Sequence, residues 1–364
     1  MKYLILACCM ISGSAFSQSA SQLSSSLDSV FAQHFKAGEP GGAVLLVKDG
    51  RIFYKNAFGL ADMQTKEPIT TRTIFNTGSI SKTFVAYGIL KLAAEGELSL
   101  EDPIGKFFPG FENKEIAGKV KLYHLLTHTS GIPDSRQVKQ EHEFYLTAGD
   151  KENFAPLLKT SGLQFEPGTR YRYSNPAFNG LALIIEQISG IKWQDYIREK
   201  IFLPSKMLQS TITDGPHPES GVSHAYILND KKQFEELDYG EEPTFAAAGN
   251  GGVWSSVEEL WNYEQAIQNN TFLDRKWMEM SRKIYPLQNW KDYAGSRLGL
   301  SWFITTQEGQ NLIGHTGSQG GFISDYLWIP EKKIFYVLLC NIPKPILEIR
   351  RQVFQALSAV NWLN

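Results

Sequence analysis

The chain has 364 residues, of which 42% are hydrophobic and 20% charged, with 31 Gly and 16 Pro. At roughly 100–200 residues per domain this is enough for two domains, or for one domain carrying a large insertion, and the composition excludes disordered, collagen-like and coiled-coil chains. The balance of 36 basic against 38 acidic residues leaves a net charge of -2, so no global field exists to hold a polyanion and nucleic acid is not an expected partner. Function must come from a site.

The chain opens with Met1-Lys2, an apolar run of nine residues from Tyr3 to Ile11, and small or polar residues through Ala15-Phe16-Ser17. This pattern predicts a secretory signal peptide over 1–17. The run is too short to cross a hydrocarbon core of ~30 Å. A competing reading is lipid attachment at Cys8, because Ile5-Leu6-Ala7-Cys8 loosely resembles a lipobox. On the first reading the mature chain is exported, periplasmic or secreted, and soluble. Cys340 is then its one cysteine, so no internal disulfide is available. It closes the apolar run Ile334 to Cys340 and reads as a core residue.

Residues 18–40 have the spacing of an amphipathic helix, with Leu23, Leu27, Val30, Phe31 and Phe35 on one face. Ala43–Val47 and Ile52–Phe58 flank Asp49-Gly50 and read as a hairpin. Helical spacing returns over 79–95, with Gly96 just past the end, and again over 177–188 and 193–202. The C-terminal third predicts antiparallel strands at 300–304, 311–315, 322–329 and 334–340, then a helix over 345–361. Strands at both ends and helices between them imply an α/β fold: one antiparallel sheet built from 18–90 and 245–364, with a mostly helical region, 91–244, inserted.

Thr77-Gly78-Ser79-Ile80-Ser81-Lys82 falls where a helix begins. Ser79 and Lys82 are three apart and share a helical face. A serine hydroxyl becomes a nucleophile when a base takes its proton, and a desolvated lysine can be that base. The helix N-terminus adds N–H groups and a positive dipole end for an oxyanion. Alone, Ser-x-x-Lys also describes an ordinary solvent-facing turn.

Two further phrases follow it in order: Tyr173-Ser174-Asn175, after Glu166-Pro167-Gly168, and His315-Thr316-Gly317-Ser318. With Leu122 to Pro133 and Ala248 to Ser255, they resemble the serine β-lactamase and penicillin-binding-protein superfamily, in particular its class C-like, D,D-peptidase and esterase branch. The resemblance runs from about residue 25 to 340. It implies an antiparallel sheet flanked by helices with a helical domain beside it, no cofactor, and a small-molecule or short-peptide substrate. It implies Ser79 as the acylated nucleophile, with Lys82 and Tyr173 sharing base and acid duties. Asn175 would orient Lys82 and hold a substrate amide. The N–H groups of Ser79 and Ser318 would form the oxyanion hole, and His315, Thr316 and Gly317 would line the substrate strand.

Blander readings stand beside these. Asn175 before Pro176 also reads as a turn and helix cap. His124 and His128, spaced i, i+4, could bind a metal from one helical face, but no third ligand is suggested. His315 is expected at the rim with an ordinary histidine titration near ~6.5, where β-lactamases usually carry lysine. That residue ranks D-amino-acid peptides, amides or esters as substrates ahead of β-lactams. A non-catalytic binding protein on the same scaffold would have eroded Ser79, Lys82 or Tyr173, and all three are present.

Overall fold

The computed structural model describes residues 21–136, 147–214, 218, 221–236, 246–285, 296–307 and 310–363. The expected signal peptide, with Cys8, lies outside them.

A seven-stranded sheet forms the backbone of the fold. Its strands are β1 (Gly42–Lys48), β2 (Arg51–Phe58), β8 (Ser296–Leu298), β9 (Phe303–Gln307), β10 (Gln310–Gln319), β11 (Phe322–Ile329) and β12 (Ile334–Cys340), in the order β2-β1-β12-β11-β10-β9-β8. Every pairing is antiparallel. Both ends of the chain therefore build one sheet, as the strand pattern implied. The numbers between belong to two small sheets: β3 (Phe75–Asn76), β7 (Val253–Ser255) and β4 (Thr211–Ile212) in one, β5 (Tyr226–Leu228) and β6 (Phe234–Glu236) in the other. The β1–β2 hairpin turns at Asp49 and Gly50, both at positive φ (50° and 76°), the geometry that an Asp-Gly pair adopts at low cost.

Helices cover both faces. In chain order they are α1 (21–34), α2 (Ser81–Ala94), α3 (Lys114–Lys119), α4 (Leu122–Leu126), α5 (Asp150–Leu158), α6 (Asn175–Ser189), α7 (Trp193–Ile197), α8 (Ala248–Gly251), α9 (Val257–Gln268), α10 (Arg275–Ser281) and α11 (Ile346–Ala359). Side chains alternate across β12. Tyr336, Leu338 and Cys340 join α1 and α11 in one core, while Phe335, Val337 and Leu339 join α2, α6 and α9 in the larger one. Cys340 is buried, and burial pushes its thiol up, away from a reactive thiolate.

The element boundaries need three corrections. Helix α1 ends at 34, not 40, because Gly38 takes a positive φ (78°) and the chain turns toward β1. Strand β9 begins at Phe303, not 300, because Ser301 has a φ of 66° and donates its N–H to the Leu126 carbonyl. The 193–202 helix changes to a π-helical turn over Arg198–Phe202. Helix α2 packs in the same core as the sheet and the inserted helices.

Candidate active site

Ser79 sits in a single 3-10 turn, Gly78–Ile80, that runs directly into α2. The turn is held by its neighbours. The Gly78 N–H donates to Asn76 Oδ1 at 2.7 Å, and Thr77 donates through both N–H (2.9 Å) and hydroxyl (2.8 Å) to the Val253 carbonyl. Ser324 on β11 donates its hydroxyl to the Thr77 carbonyl at 2.8 Å. Gly78 has a φ of 54°, so glycine meets a conformational need there. It meets a steric one too: a Cβ on Gly78 would lie 2.6 Å from the Ser318 nitrogen. A Cβ on Gly317 would lie 2.0 Å from the Thr77 carbonyl oxygen and 3.0 Å from the Ser79 nitrogen. These glycines let β10 close on the turn, with the Ser318 nitrogen next to Gly78 and the Ser79 nitrogen next to Gly317.

Lys82 lies one turn into the helix, 0% exposed. Its Nζ is 3.0 Å from Ser79 Oγ and donates to the Asn250 carbonyl oxygen at 2.5 Å. Burial holds the ammonium well below its usual range, and the charge of Arg136 adds to this. The expected partner of the lysine was Asn175. The structure gives it the Asn250 carbonyl instead, from α8, and the cap of α6 belongs to Ser174, whose hydroxyl accepts from the Ala177 N–H.

Tyr173 lies beside the lysine, with Lys82 Nζ 5.1 Å from its ring centroid. Its place is fixed by His128, whose ring stacks on it at 4.3 Å and 27°. His128 Nδ1 accepts from the Ser174 N–H at 3.0 Å, and its carbonyl accepts from the Arg172 N–H at 2.9 Å. The residue holds a φ of 56° to do so, a strained backbone for a non-glycine side chain. Burial, then Lys82 and His315, keeps it uncharged. With Nδ1 committed to Ser174, and His124 Nδ1 accepting from the Lys121 N–H at 3.0 Å, the i, i+4 pair serves the backbone.

His315 departs from expectation. It is 4% exposed rather than at the rim, because on β10 its side chain points into the larger core side while Thr316 and Ser318 point out. Burial and the nearby Lys82 push its pKa down to about 3. Its Nδ1 donates to the Thr316 carbonyl at 2.6 Å, and its ring lies 6.4 Å from Tyr173. Strand β9 pairs with β10 only as far as Gly314, so the β9-side edge from His315 to Ser318 pairs with no strand among the described residues.

Sequence reasoning missed the support behind the lysine. Asn250 Nδ2 donates to Asn179 Oδ1 (3.0 Å), and Asn179 Nδ2 donates to Asp150 Oδ1 (2.6 Å). Asp150 also accepts from the Gly249 N–H (2.8 Å) and from Trp193 Nε1 (2.9 Å). Burial raises this carboxyl to about 7 against those hydrogen bonds. The polar spacing Asn175-x-x-x-Asn179 on one face of α6 was the available signal.

Penicillin-binding protein 4* of Bacillus subtilis (strain 168) is 29% identical over 295 residues, covering 77% of this chain and 63% of that protein. A D-aminopeptidase of Brucella anthropi is 28% identical over 326 residues, covering 85% and 57%. The chain thus spans less than two thirds of the length of both. The octameric penicillin-binding protein homologue from Pyrococcus abyssi superposes with a TM-score of 0.79 at 27% identity, covering 93% of this chain and 77% of that one. Residues 27–359 match the family described as Beta-lactamase, and the chain belongs to that family, with the serine β-lactamase and penicillin-binding-protein fold.

Proposed function

We propose that the protein is an exported serine hydrolase that forms an acyl-enzyme on Ser79 and acts on D-amino-acid peptides, amides or esters. The observation that carries this reading is the 3.0 Å approach of Lys82 Nζ to Ser79 Oγ with the lysine fully buried. As a neutral amine, Lys82 donates one N–H to the Asn250 carbonyl and turns its lone pair to the Ser79 hydroxyl. It takes the hydroxyl proton as Oγ bonds to the substrate carbonyl carbon. The carbonyl oxygen becomes an oxyanion between the Ser79 and Ser318 N–H groups, where preorganised donors lower the barrier. The carbon–leaving-group bond then breaks, and the departing atom takes its proton from the Tyr173 phenol, which the Lys82 ammonium reprotonates. Water attacks the Ser79 ester by the reverse route and releases the acid.

The D-aminopeptidase relative supports the D-amino-acid class, and an uncharged His315 supports neutral amides and esters ahead of β-lactams. Labelling with a fluorophosphonate followed by peptide mapping is the direct test. The adduct is expected on Ser79, with activity lost in Ser79→Ala. Labelling elsewhere, or full activity in that variant, overturns the mechanism.

A further inference from the structure

Asp150 is a buried carboxyl that the mechanism above does not use, and its described partners all donate to it. Trp193 Nε1 reaches Oδ2 at 2.9 Å, while the Gly249 N–H (2.8 Å) and Asn179 Nδ2 (2.6 Å) share Oδ1. Gly249 immediately precedes the residue whose carbonyl holds Lys82, and Asn179 Oδ1 accepts from the side chain of that residue, Asn250, at 3.0 Å. Asp150 thus grips the α8 turn at two consecutive residues. The far end of the turn is tied to the nucleophile's own segment: Val253 donates its N–H to Ser81 Oγ at 2.9 Å and its carbonyl accepts from Thr77. The Asn250 carbonyl stands between these two anchorages. Packing leaves the turn little slack, since a Cβ on Gly249 would lie 2.8 Å from Ala182 Cβ and 3.0 Å from Asp150 Oδ1.

This pattern suits one protonation state. A carboxylate accepts from all three donors, which makes Asn179 present its Nδ2 and leaves its Oδ1 for Asn250. A protonated carboxyl has an O–H to donate. An indole and a peptide N–H can only donate, so among the described partners Asn179 alone can turn an oxygen toward it. Turning sets Asn179 Oδ1 against the Ala247 carbonyl, to which Nδ2 now donates at 3.4 Å, and aims Nδ2 at the Nδ2 of Asn250. Asn250 must then turn as well or lose its bond, and a buried amide left unpaired is costly. One proton on Asp150 is therefore felt two amides away, at the residue that holds the base. The surrounding charges do not oppose this. Asp214 favours the proton, Glu186 on α6 accepts from the Trp193 backbone N–H, and Arg136, which meets α5 at Asn153, is paired with Asp134. Lys82 lies at the far end of the chain of amides.

We propose that Asp150 is a proton-dependent positioning residue for acylation: as a carboxylate it keeps both amides and the Asn250 carbonyl in place behind Lys82, and as an acid it releases them and slows attack by Ser79. The proposal rests on the acyl-enzyme reading above, and the test separates the two. It is the pH profile of kcat on a neutral p-nitrophenyl ester, read at the isosbestic wavelength of the product, with fluorophosphonate labelling of Ser79 in parallel. Protonating Lys82 stops the reaction, whereas protonating Asp150 only displaces its support, so the wild-type acid limb should have two stages. The histidines beside the site, His128 and His315, are held below the first stage by burial. Around pH 7, where burial places the Asp150 carboxyl, kcat should fall about tenfold to a shelf, with KM constant within about twofold. Asp150→Asn cannot ionise and should run at the shelf level above pH 7, without the step. Asn179→Leu cuts the chain of amides and should lose the step too, whether or not Asp150→Asn folds. Ile197→Val, a core truncation on the helix that carries Trp193, should lower Tm and keep the step. A one-stage limb in the wild type overturns the proposal, as does a step that survives in Asn179→Leu or vanishes in Ile197→Val. Failure of the wild type to label at Ser79 overturns the parent reading, and this one with it.

Discussion

On the strand side of the cleft, β10 approaches the Ser79 turn so closely that a methyl group at Gly317 would lie 2.0 Å from the Thr77 carbonyl oxygen. On the helical side a different kind of contact bears on Tyr173 and Lys82. Buried polar side chains supply it, His128 under the tyrosine and the Asp150-Asn179-Asn250 chain behind the lysine. One wall is fixed by backbone against backbone, which yields little when crowded. The other is fixed by hydrogen bonds, each of which can be removed singly at a graded cost. Damage to the first should be abrupt, and damage to the second partial and sensitive to pH.

The largest effect is expected where the two walls meet, at Lys82. Arginine keeps the charge but cannot give up its proton. Lys82→Arg should therefore lose nearly as much kcat as Lys82→Ala, on the order of 10²–10⁴-fold. Steady-state kinetics on a p-nitrophenyl ester decide this, and substantial rescue by arginine would show that the lysine acts through charge alone.

Next comes Gly317→Ala on the strand wall. The clash is with main-chain atoms, so β10 must move and carry the Ser318 N–H with it. A loss of roughly 10²–10³-fold in kcat is expected, the worth of one oxyanion donor, with little change in KM. A variant that keeps its circular dichroism spectrum and full kcat would show that the strand wall is softer than drawn.

On the helical wall, His128→Phe keeps the stacked ring but strands the buried Ser174 N–H. It should cost about 1–3 kcal/mol of stability in denaturant titrations, and about tenfold in kcat as Tyr173 loosens. Greater loss here than at Gly317 would reverse the comparison.

The smallest effect concerns pH and the same wall. His124 is pushed down to about 4 and His315 to about 3, by burial first, and His128 is also lowered. Between pH 6.5 and about 4 the unfolded chain binds protons that the folded histidines refuse, so acid should weaken the fold through that window. Asp150, raised to about 7, works the other way: its folded form takes a proton that the unfolded carboxylate releases above ~4, so it gains stability as pH falls through 7. Three against one leaves net acid destabilisation. Asp150→Asn removes the opposing group, so its Tm should fall more steeply than wild type between pH 7 and 5. A parallel or shallower decline would deny Asp150 its raised titration.

The sequence by itself determined what is local in chain and periodic in pattern. Ser79 and Lys82 meet because they are three residues apart at a helix start, and β12 was legible because both of its faces are apolar over an uninterrupted run. The hairpin at Asp49-Gly50 followed from two residues that tolerate positive φ. Only the tertiary structure decided what covers each face. Alternation along β10 says that His315 and Thr316 point apart, but not that the core encloses the first, and its burial reversed the expectation of a rim histidine. The lysine's second partner was equally hidden, because a carbonyl oxygen such as that of Asn250 belongs to every residue and leaves no mark in side-chain chemistry. Its position depends on Asp150 and Asn179, distant in the chain, whose burial makes their hydrogen bonds obligatory. Motif spacing can place a nucleophile beside its base, but the dielectric around them comes from whichever distant residues fold over the pair.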